Sequence, residues 1–272
     1  MFQGRGVEIK TPEQIATMRQ AGLVVGRTLE LVRTRAEPGM TTGALDALAE
    51  EHIRDSGAVP SFKNYHGFPA SLCISVGDEV VHGIPGARRL LEGDVVSIDC
   101  GAIVDGWHGD AAVTFGLGPL DPAADDLLTV CEDALWAGLA ATRVGGRLSD
   151  VSAAVESLVR SRGDLGIVED YVGHGIGSAM HQPPNVPNYG RPGKGPRLVR
   201  GMALAVEPMI TLGSPQTRVL ADDWTVVTAD GSAAAHFEHT VTPTDTGVWV
   251  LTALDGGRER LTAMGVPFGG AE

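Results

Sequence analysis

Cysteine is scarce in this chain, with three among 272 residues. Cys73, Cys100 and Cys131 are odd in number, far apart and form no C-x-x-C pair. That excludes a disulfide frame and a zinc ribbon. Positive charge is short too: 21 Lys and Arg stand against 34 Asp and Glu, a net charge of −13. A broad nucleic-acid face needs a basic stripe to displace counterions, so DNA is not an expected partner. No stretch approaches the roughly 20 apolar residues that cross a bilayer, so no membrane association is expected. The opening MFQGRGVEIKTPEQI lacks the apolar core of a signal peptide, and the expected location is a reducing cytoplasm. What the chain does hold is 43% hydrophobic residues, enough for a sizeable core. Its 37 Gly and 16 Pro imply many sharp turns, which suit antiparallel strands better than a helical bundle.

The order of elements is helix, helix, strands, given twice. TPEQIATMRQAGLVVGRTLELVRTRA reads as an amphipathic helix capped by Thr11 with Pro12 at its first position. TTGALDALAEEHIRDSGA is a second helix, followed by the strand-like SLCISV, DEVVHGI and VVSIDCGAIVDGWHGDAAVTFG. AADDLLTVCEDALWAGLAATR and LSDVSAAVESLVRSRG begin the second round, followed by VEDYVGHGIG, MALAVEPMIT, WTVVTAD and AAHFEHTVTPT. The pattern predicts an α+β chain of two similar halves, about 11–118 and 119–252, with no polar linker between them.

Asp105-Gly106 between two β-rich runs is a type I′ hairpin signal. That turn sets Asp99 opposite Ala112, and Asp110 becomes a diagonal neighbour of Asp99 on one sheet face. His108 shares that face. No Lys or Arg lies in the hairpin, so the two carboxylates face either solvent or a bound cation. Three other segments favour the cation. HGIG presents His174 from a glycine-rich loop, while MALAVEPMI and HFEHT set Glu207 and Glu238 in apolar strand contexts, where an unpaired carboxylate is costly. Together these residues look like a dinuclear centre with bridging carboxylates.

SIDCGAIVDGWHGDAAVTF, GHGIGSAMHQPP, LAVEPMI and FEHTV closely resemble the ligand motifs of type I methionine aminopeptidases, as does YHGFPASLCISVGDEVVHGIP. The resemblance runs from the first helix to the last strand. The spacings are 11 residues from Asp99 to Asp110, 33 from His174 to Glu207 and 31 from Glu207 to Glu238. It implies the pita-bread fold: a central antiparallel sheet with flanking helices, pseudo-twofold halves and a single catalytic domain over 1–272. It also implies that Asp99 binds one metal, His174 and Glu207 the other, and that Asp110 and Glu238 bridge both. His82 and His181 match the two active-site histidines that do not bind metal, and the family does not use His108 as a ligand. Phe62, Tyr65, Phe68, Cys73 and Trp224 match the methionine pocket, where thiol and aromatic edges suit a thioether.

The implied activity is removal of N-terminal methionine from nascent proteins and peptides with small second residues. The cofactor is two divalent ions: one imidazole and four carboxylates suit Mn²⁺, Fe²⁺ or Co²⁺, with Zn²⁺ also admitted. Two departures stand out. Met180 occupies a position that is commonly Phe, and VGDEVVHG replaces a pattern with a cysteine beside the histidine and a monovalent-cation site. Cys100 and Cys131 are expected in the core, and His52, His66, His236 and His239 in hydrogen-bonding or surface roles. RPGKGPRLVR, Arg191 to Arg200, is the one basic cluster, either a solvated loop or a contact with the ribosome near its exit tunnel. A monomer is expected.

Related readings diverge on particular features. A proline peptidase of this fold shares all five ligands but carries an N-terminal domain, and about ten residues precede the first helix here. A type II methionine aminopeptidase has a helical insertion for which the gap from Glu207 to Glu238 leaves no room. A non-enzymatic pita-bread interaction protein has lost ligands that this chain keeps.

Overall fold

The computed structural model of the chain describes residues 6–270. Thr11 begins the first helix as its sequence predicts: its hydroxyl accepts from Gln14 N while Gln14 Oε1 accepts from Thr11 N, a reciprocal capping box. The elements of the first half are α1 (Pro12–Arg35), α2 (Thr42–Asp55), β1 (Val59–Pro60), β2 (Leu72–Val76), β3 (Glu79–Val81), β4 (Val95–Val104) and β5 (Trp107–Gly116). A short 3₁₀ turn spans Tyr65–Gly67. The second half begins with α3 (Pro122–Ala141) and α4 (Leu148–Arg162), then β6 (Gly166–Ile167), β7 (Gly173–Gly175), β8 (Gln182–Val186), β9 (Leu204–Val206) and β10 (Met209–Thr211). It ends with β11 (Thr217–Val219), β12 (Val226–Thr228), β13 (Ala234–His236), β14 (Glu238–Pro243), β15 (Val248–Val250) and α5 (Arg258–Ala263).

The main sheet is antiparallel in the order β1-β4-β5-β14-β9-β7-β8, with β2 on β4 and β15 on β14. Its backbone is the hairpin that the sequence predicts. Asp105 and Gly106 both have positive φ, 47° and 81°, as a type I′ turn requires, and the register pairs Val104 with Trp107 and Asp99 with Ala112. Two cores lie on its helical side. One joins α1 and α2 to Leu72, Ile98, Cys100 and Ala111; the other joins α3 and α4 to Leu204, Val206 and Val241, with Cys131 inside it. Where α1 crosses β5, the backbones approach so closely that a Cβ on Gly109 would strike the backbone of Gly22.

Two strand-like runs do not continue as single strands. MALAVEPMIT divides at Glu207-Pro208 into β9 and β10, and AAHFEHTVTPT divides at Phe237 into β13 and β14. In each case the outer piece leaves the main sheet for a smaller one, β13-β10-β6. Pro208 has no N–H to extend the ladder, and Phe237 N crosses to Pro208 O at 3.4 Å, so the two breaks lie side by side. VEDYVGHGIG is likewise strand only at Gly173–Gly175. Among the described residues no helix is long and apolar enough to cross a membrane.

Candidate metal centre and its pocket

The hairpin and the two strand breaks deliver their carboxylates to one place. Asp99, Asp110, His174, Glu207 and Glu238 all line a cavity of about 340 Å³. Asp110 sits on β5, and Glu238 on the neighbouring β14 pairs with Ala112, which puts both carboxylates on the face of Asp99. Thr240 fixes Asp110 by donating to its carbonyl (2.8 Å) and accepting from its N–H (3.1 Å). Asn188, fully buried, donates to the Glu207 carbonyl at 3.0 Å. His174 Nε2 lies 3.4 Å from Glu207 Oε1 and 4.0 Å from Asp110 Oδ2.

No Lys or Arg lines this cavity among the described residues. Burial therefore pushes the carboxyl of Asp99 up to about 7 and holds those of Asp110, Glu207 and Glu238 well above the usual range, the last three raised further by neighbouring acids. Asp99 Oδ1, Asp110 Oδ1 and Glu238 Oε1 are buried with no hydrogen-bond partner. His174 Nδ1 faces the carbonyl of Gly175 at 3.0 Å, to which it can only donate, so Nε2 presents its lone pair to the carboxylates. Donor atoms of Asp110, His174 and Glu238 lie within 4.8 Å of one another. Orphaned anionic oxygens beside a lone-pair nitrogen fit divalent cations.

His236 is a residue for which the sequence reading needs correction. It is expected in a hydrogen-bonding or surface role, yet it is fully buried and its Nε2, without a hydrogen-bond partner, lies 4.0 Å from both Glu207 Oε2 and Glu238 Oε2. Its backbone is stitched to β5 by Thr114, whose hydroxyl donates to His236 O (2.6 Å) and accepts from His236 N (2.9 Å). The signal was its i, i+2 spacing from Glu238 in a strand-like run. His108 does not line the cavity among the described residues; its Nδ1 meets Ser61 Oγ at 3.1 Å.

Beside the carboxylates the cavity turns apolar. Phe62, Phe68, Cys73 and Met180 are buried together, with Tyr65 and Trp224 packed against them. Val81 and His66 also line the cavity, two residues that the sequence reading did not place there. Burial and the surrounding acids hold the Cys73 thiol protonated, so it is a soft wall and not a nucleophile.

Two neutral imidazoles stand at the rim between pocket and carboxylates. His181 Nδ1 is 2.9 Å from the Tyr65 hydroxyl, and its ring centroid lies 4.3 Å from that of His174. His82 holds a left-handed backbone, φ 61°, with its ring edge-on to Tyr171 and Trp224. A side chain kept in that region by surrounding packing is a common mark of a working site. Burial lowers both rings to about 4.

The arrangement has close counterparts. The model of metallopeptidase family M24 matches residues 16–245. A methionine aminopeptidase of Clostridium acetobutylicum is 51% identical over 248 residues, covering 91% of this chain and 99% of that protein. The crystal structure of a methionine aminopeptidase from Thermotoga maritima superposes with a TM-score of 0.89 at 42% identity, over 91% of this chain and all of the other. A prolidase from Pyrococcus furiosus shares the fold alone, with a TM-score of 0.72 at 21% identity over 90% of this chain and 65% of its own. The pita-bread architecture and the carboxylate-rich centre thus come with high identity along nearly the whole chain, and the protein belongs to metallopeptidase family M24, on its methionine aminopeptidase branch.

Proposed function

We propose that this protein hydrolyses the first peptide bond of peptides and nascent proteins that begin with methionine, preferring small second residues. The observation that carries the reading is the direct join between an acidic centre free of Lys and Arg and an apolar pocket walled by Phe62, Tyr65, Phe68, Cys73 and Trp224. An unbranched, polarisable thioether suits such a wall.

In this reading Asp99, Asp110, His174, Glu207 and Glu238 would hold two divalent ions. Mn²⁺, Fe²⁺ or Co²⁺ are the best matches to the donor set, with Zn²⁺ also admitted. Such ions supply Lewis acidity, acidifying a water and polarising the scissile carbonyl. Glu207 accepts the proton of the attacking water and passes it to the departing amine. His181 donates to the carbonyl oxygen as negative charge develops there, and His82 meets the amide nitrogen of the breaking bond. The closed pocket orients the methionine side chain so that its carbonyl lies over the carboxylates.

In this reading the enzyme works in the cytoplasm as a monomer, and the exposed Lys and Arg side chains between Arg191 and Arg200 are the surface that would meet ribosomal RNA. Unchanged ribosome co-sedimentation after neutralising its Lys and Arg residues would remove that surface from the reading. The activity itself is tested by stripping metal, restoring Mn²⁺, Co²⁺ or anaerobic Fe²⁺, and offering Met-Ala-Ser, Leu-Ala-Ser and Ala-Pro-Ala. Metal-dependent release of methionine alone, abolished in Glu207→Ala, is expected. Cleavage of Ala-Pro-Ala instead would reassign the site to proline peptides, and no cleavage despite tight metal binding would point to an interaction protein.

A further inference from the structure

His181 and Met180 reach the cavity from residues 176–181, a segment between β7 and β8 that belongs to no strand. Its main-chain support is thin: Ile176 N donates to Ala203 O, Gly177 N to Ala179 O, and Gly177 O accepts from His108 N. Besides Tyr65 on His181 and a 3.5 Å bond from Gln182 Nε2 to Ala179 O, the side-chain hydrogen bonds that hold it come from the leading segment of the chain. Glu8, four residues ahead of α1, accepts from Ser178 N (3.1 Å), Ser178 Oγ (2.5 Å) and Gln182 Nε2 (2.9 Å). Lys10 supports Glu8 from below, its Nζ 3.6 Å from Glu8 Oε2 and 3.2 Å from Glu8 O. The Lys10 side chain is only 1% exposed, and its N–H is tied to Gly201 O at 2.8 Å.

The fit leaves no slack. A Cβ on Gly177 would run into the Glu8 carboxylate, the Lys10 stem and the Gln182 amide, so this glycine exists where the leading segment and the loop touch. Burial alone would raise the Glu8 carboxyl; the hydrogen bonds from Ser178 and Gln182 outweigh it and keep the group ionised. A lysine so deeply buried needs an anionic partner, and Glu8 is the carboxylate in contact with it. Charge-assisted hydrogen bonds of this kind are stronger and more directional than neutral ones.

We propose that Glu8, braced by Lys10, is a positioning residue for His181. The carboxylate fixes the turn at Ser178 and the start of β8, and thereby the height of the imidazole over the reacting carbonyl. The inference rests on the reading of His181 as the group that faces that carbonyl. A catalytic donor must be held within a fraction of an ångström, so a loosened loop costs turnover more than it costs binding.

Glu8→Ala, Glu8→Gln, His181→Ala and the double variant Glu8→Ala/His181→Ala test this on the metal-loaded enzyme with Met-Ala-Ser. Glu8→Ala is expected to lower kcat about 10-fold while KM and Mn²⁺ affinity stay within about twofold, and Glu8→Gln, which keeps an acceptor, recovers about a third of the loss. In the His181→Ala background the Glu8 change is expected to add less than about twofold, because the residue it positions is gone. An equal loss in both backgrounds, or parental kcat in Glu8→Ala beside a disabled His181→Ala, overturns the anchor alone. Full kcat in His181→Ala overturns the reading of His181 and the anchor's route with it. Should Glu8→Ala fail to fold, Ser178→Ala with Gln182→Met removes the two side-chain hydrogen bonds to Glu8 from the loop side, leaving that of Ser178 N, and must reproduce most of the kcat loss.

Discussion

The Tyr65 hydroxyl lies 2.9 Å from Nδ1 of His181. A phenol donating there leaves the neutral imidazole its proton on Nε2, the form that can give a hydrogen bond to a developing oxyanion. Tyr65→Phe keeps the aromatic wall and removes only that hydroxyl. It is expected to lower kcat about 10-fold while KM moves less than about threefold, as steady-state kinetics on Met-Ala-Ser will show.

Met180 is buried against Phe62, Phe68 and Cys73. Met180→Ala deepens the pocket by a flexible side chain. KM for methionine peptides is expected to rise by about 5- to 20-fold, with a gain for peptides led by bulkier apolar residues. Competing Met and Phe peptides in one assay would measure the change directly; an unaltered ratio would place the floor of the pocket elsewhere.

His236 Nε2, without a hydrogen-bond partner, lies 4.0 Å from the carboxylates of Glu207 and Glu238. His236→Ala leaves the five proposed ligands intact. Partners of this outer kind are worth about 10- to 100-fold in metal affinity or activity. Calorimetric titration of the metal-stripped variant with Mn²⁺ should register the loss, while Leu at the same position tests whether bulk alone restores it.

The acid cluster makes metal-free stability depend on pH. Burial raises the Asp99 carboxyl from its ordinary value to about 7, and those of Asp110, Glu207 and Glu238 also lie above theirs. Between the unfolded and folded values the native state binds more protons than the unfolded chain. The contribution is therefore complete below about pH 4 and is lost as pH rises through about 7. The Tm of metal-stripped protein is expected to fall between about pH 5.5 and about pH 7.5, and divalent ions to raise it more at the higher pH. A flat metal-free Tm across that interval would contradict the shift.

Gly109 lies next to Asp110 at the point where α1 presses on β5, and an added methyl would meet the backbone of Gly22. Backbone cannot rotate away as a side chain can. Gly109→Ala is expected to cost about 1–3 kcal/mol in denaturant unfolding and to weaken metal binding by moving its neighbour.

Much of the site was legible before any coordinates because the hairpin is a local device. A two-residue turn with positive φ at both positions fixes register arithmetically, and from register follows the shared face of Asp99 and Asp110. Capping residues and apolar periodicity likewise marked α1 to α4. The strand breaks were not legible. Glu207-Pro208 and Phe237 read as interiors of apolar runs, since the strands on both sides of each break are buried. His236 belongs to the smaller sheet, yet its Nε2 lies 4.0 Å from the Glu207 and Glu238 carboxylates, as its spacing from Glu238 allowed. The hold of Glu8 on Ser178 joins positions 170 residues apart, and neither periodicity nor motif spacing encodes such a contact.

The seam between β5 and β14 is narrow, only the pairs Glu238 with Ala112 and His239 with Ala111. Asp110 stands on one side of it and Glu238 on the other, both anionic when charged and both without a protein cation nearby. Cations held there would work as a clasp as well as a reagent, converting repulsion across this narrow join into attraction. A protein arranged this way ties its mechanical integrity to its readiness to react. Depletion of metal would be felt first as a loosened join between these two strands.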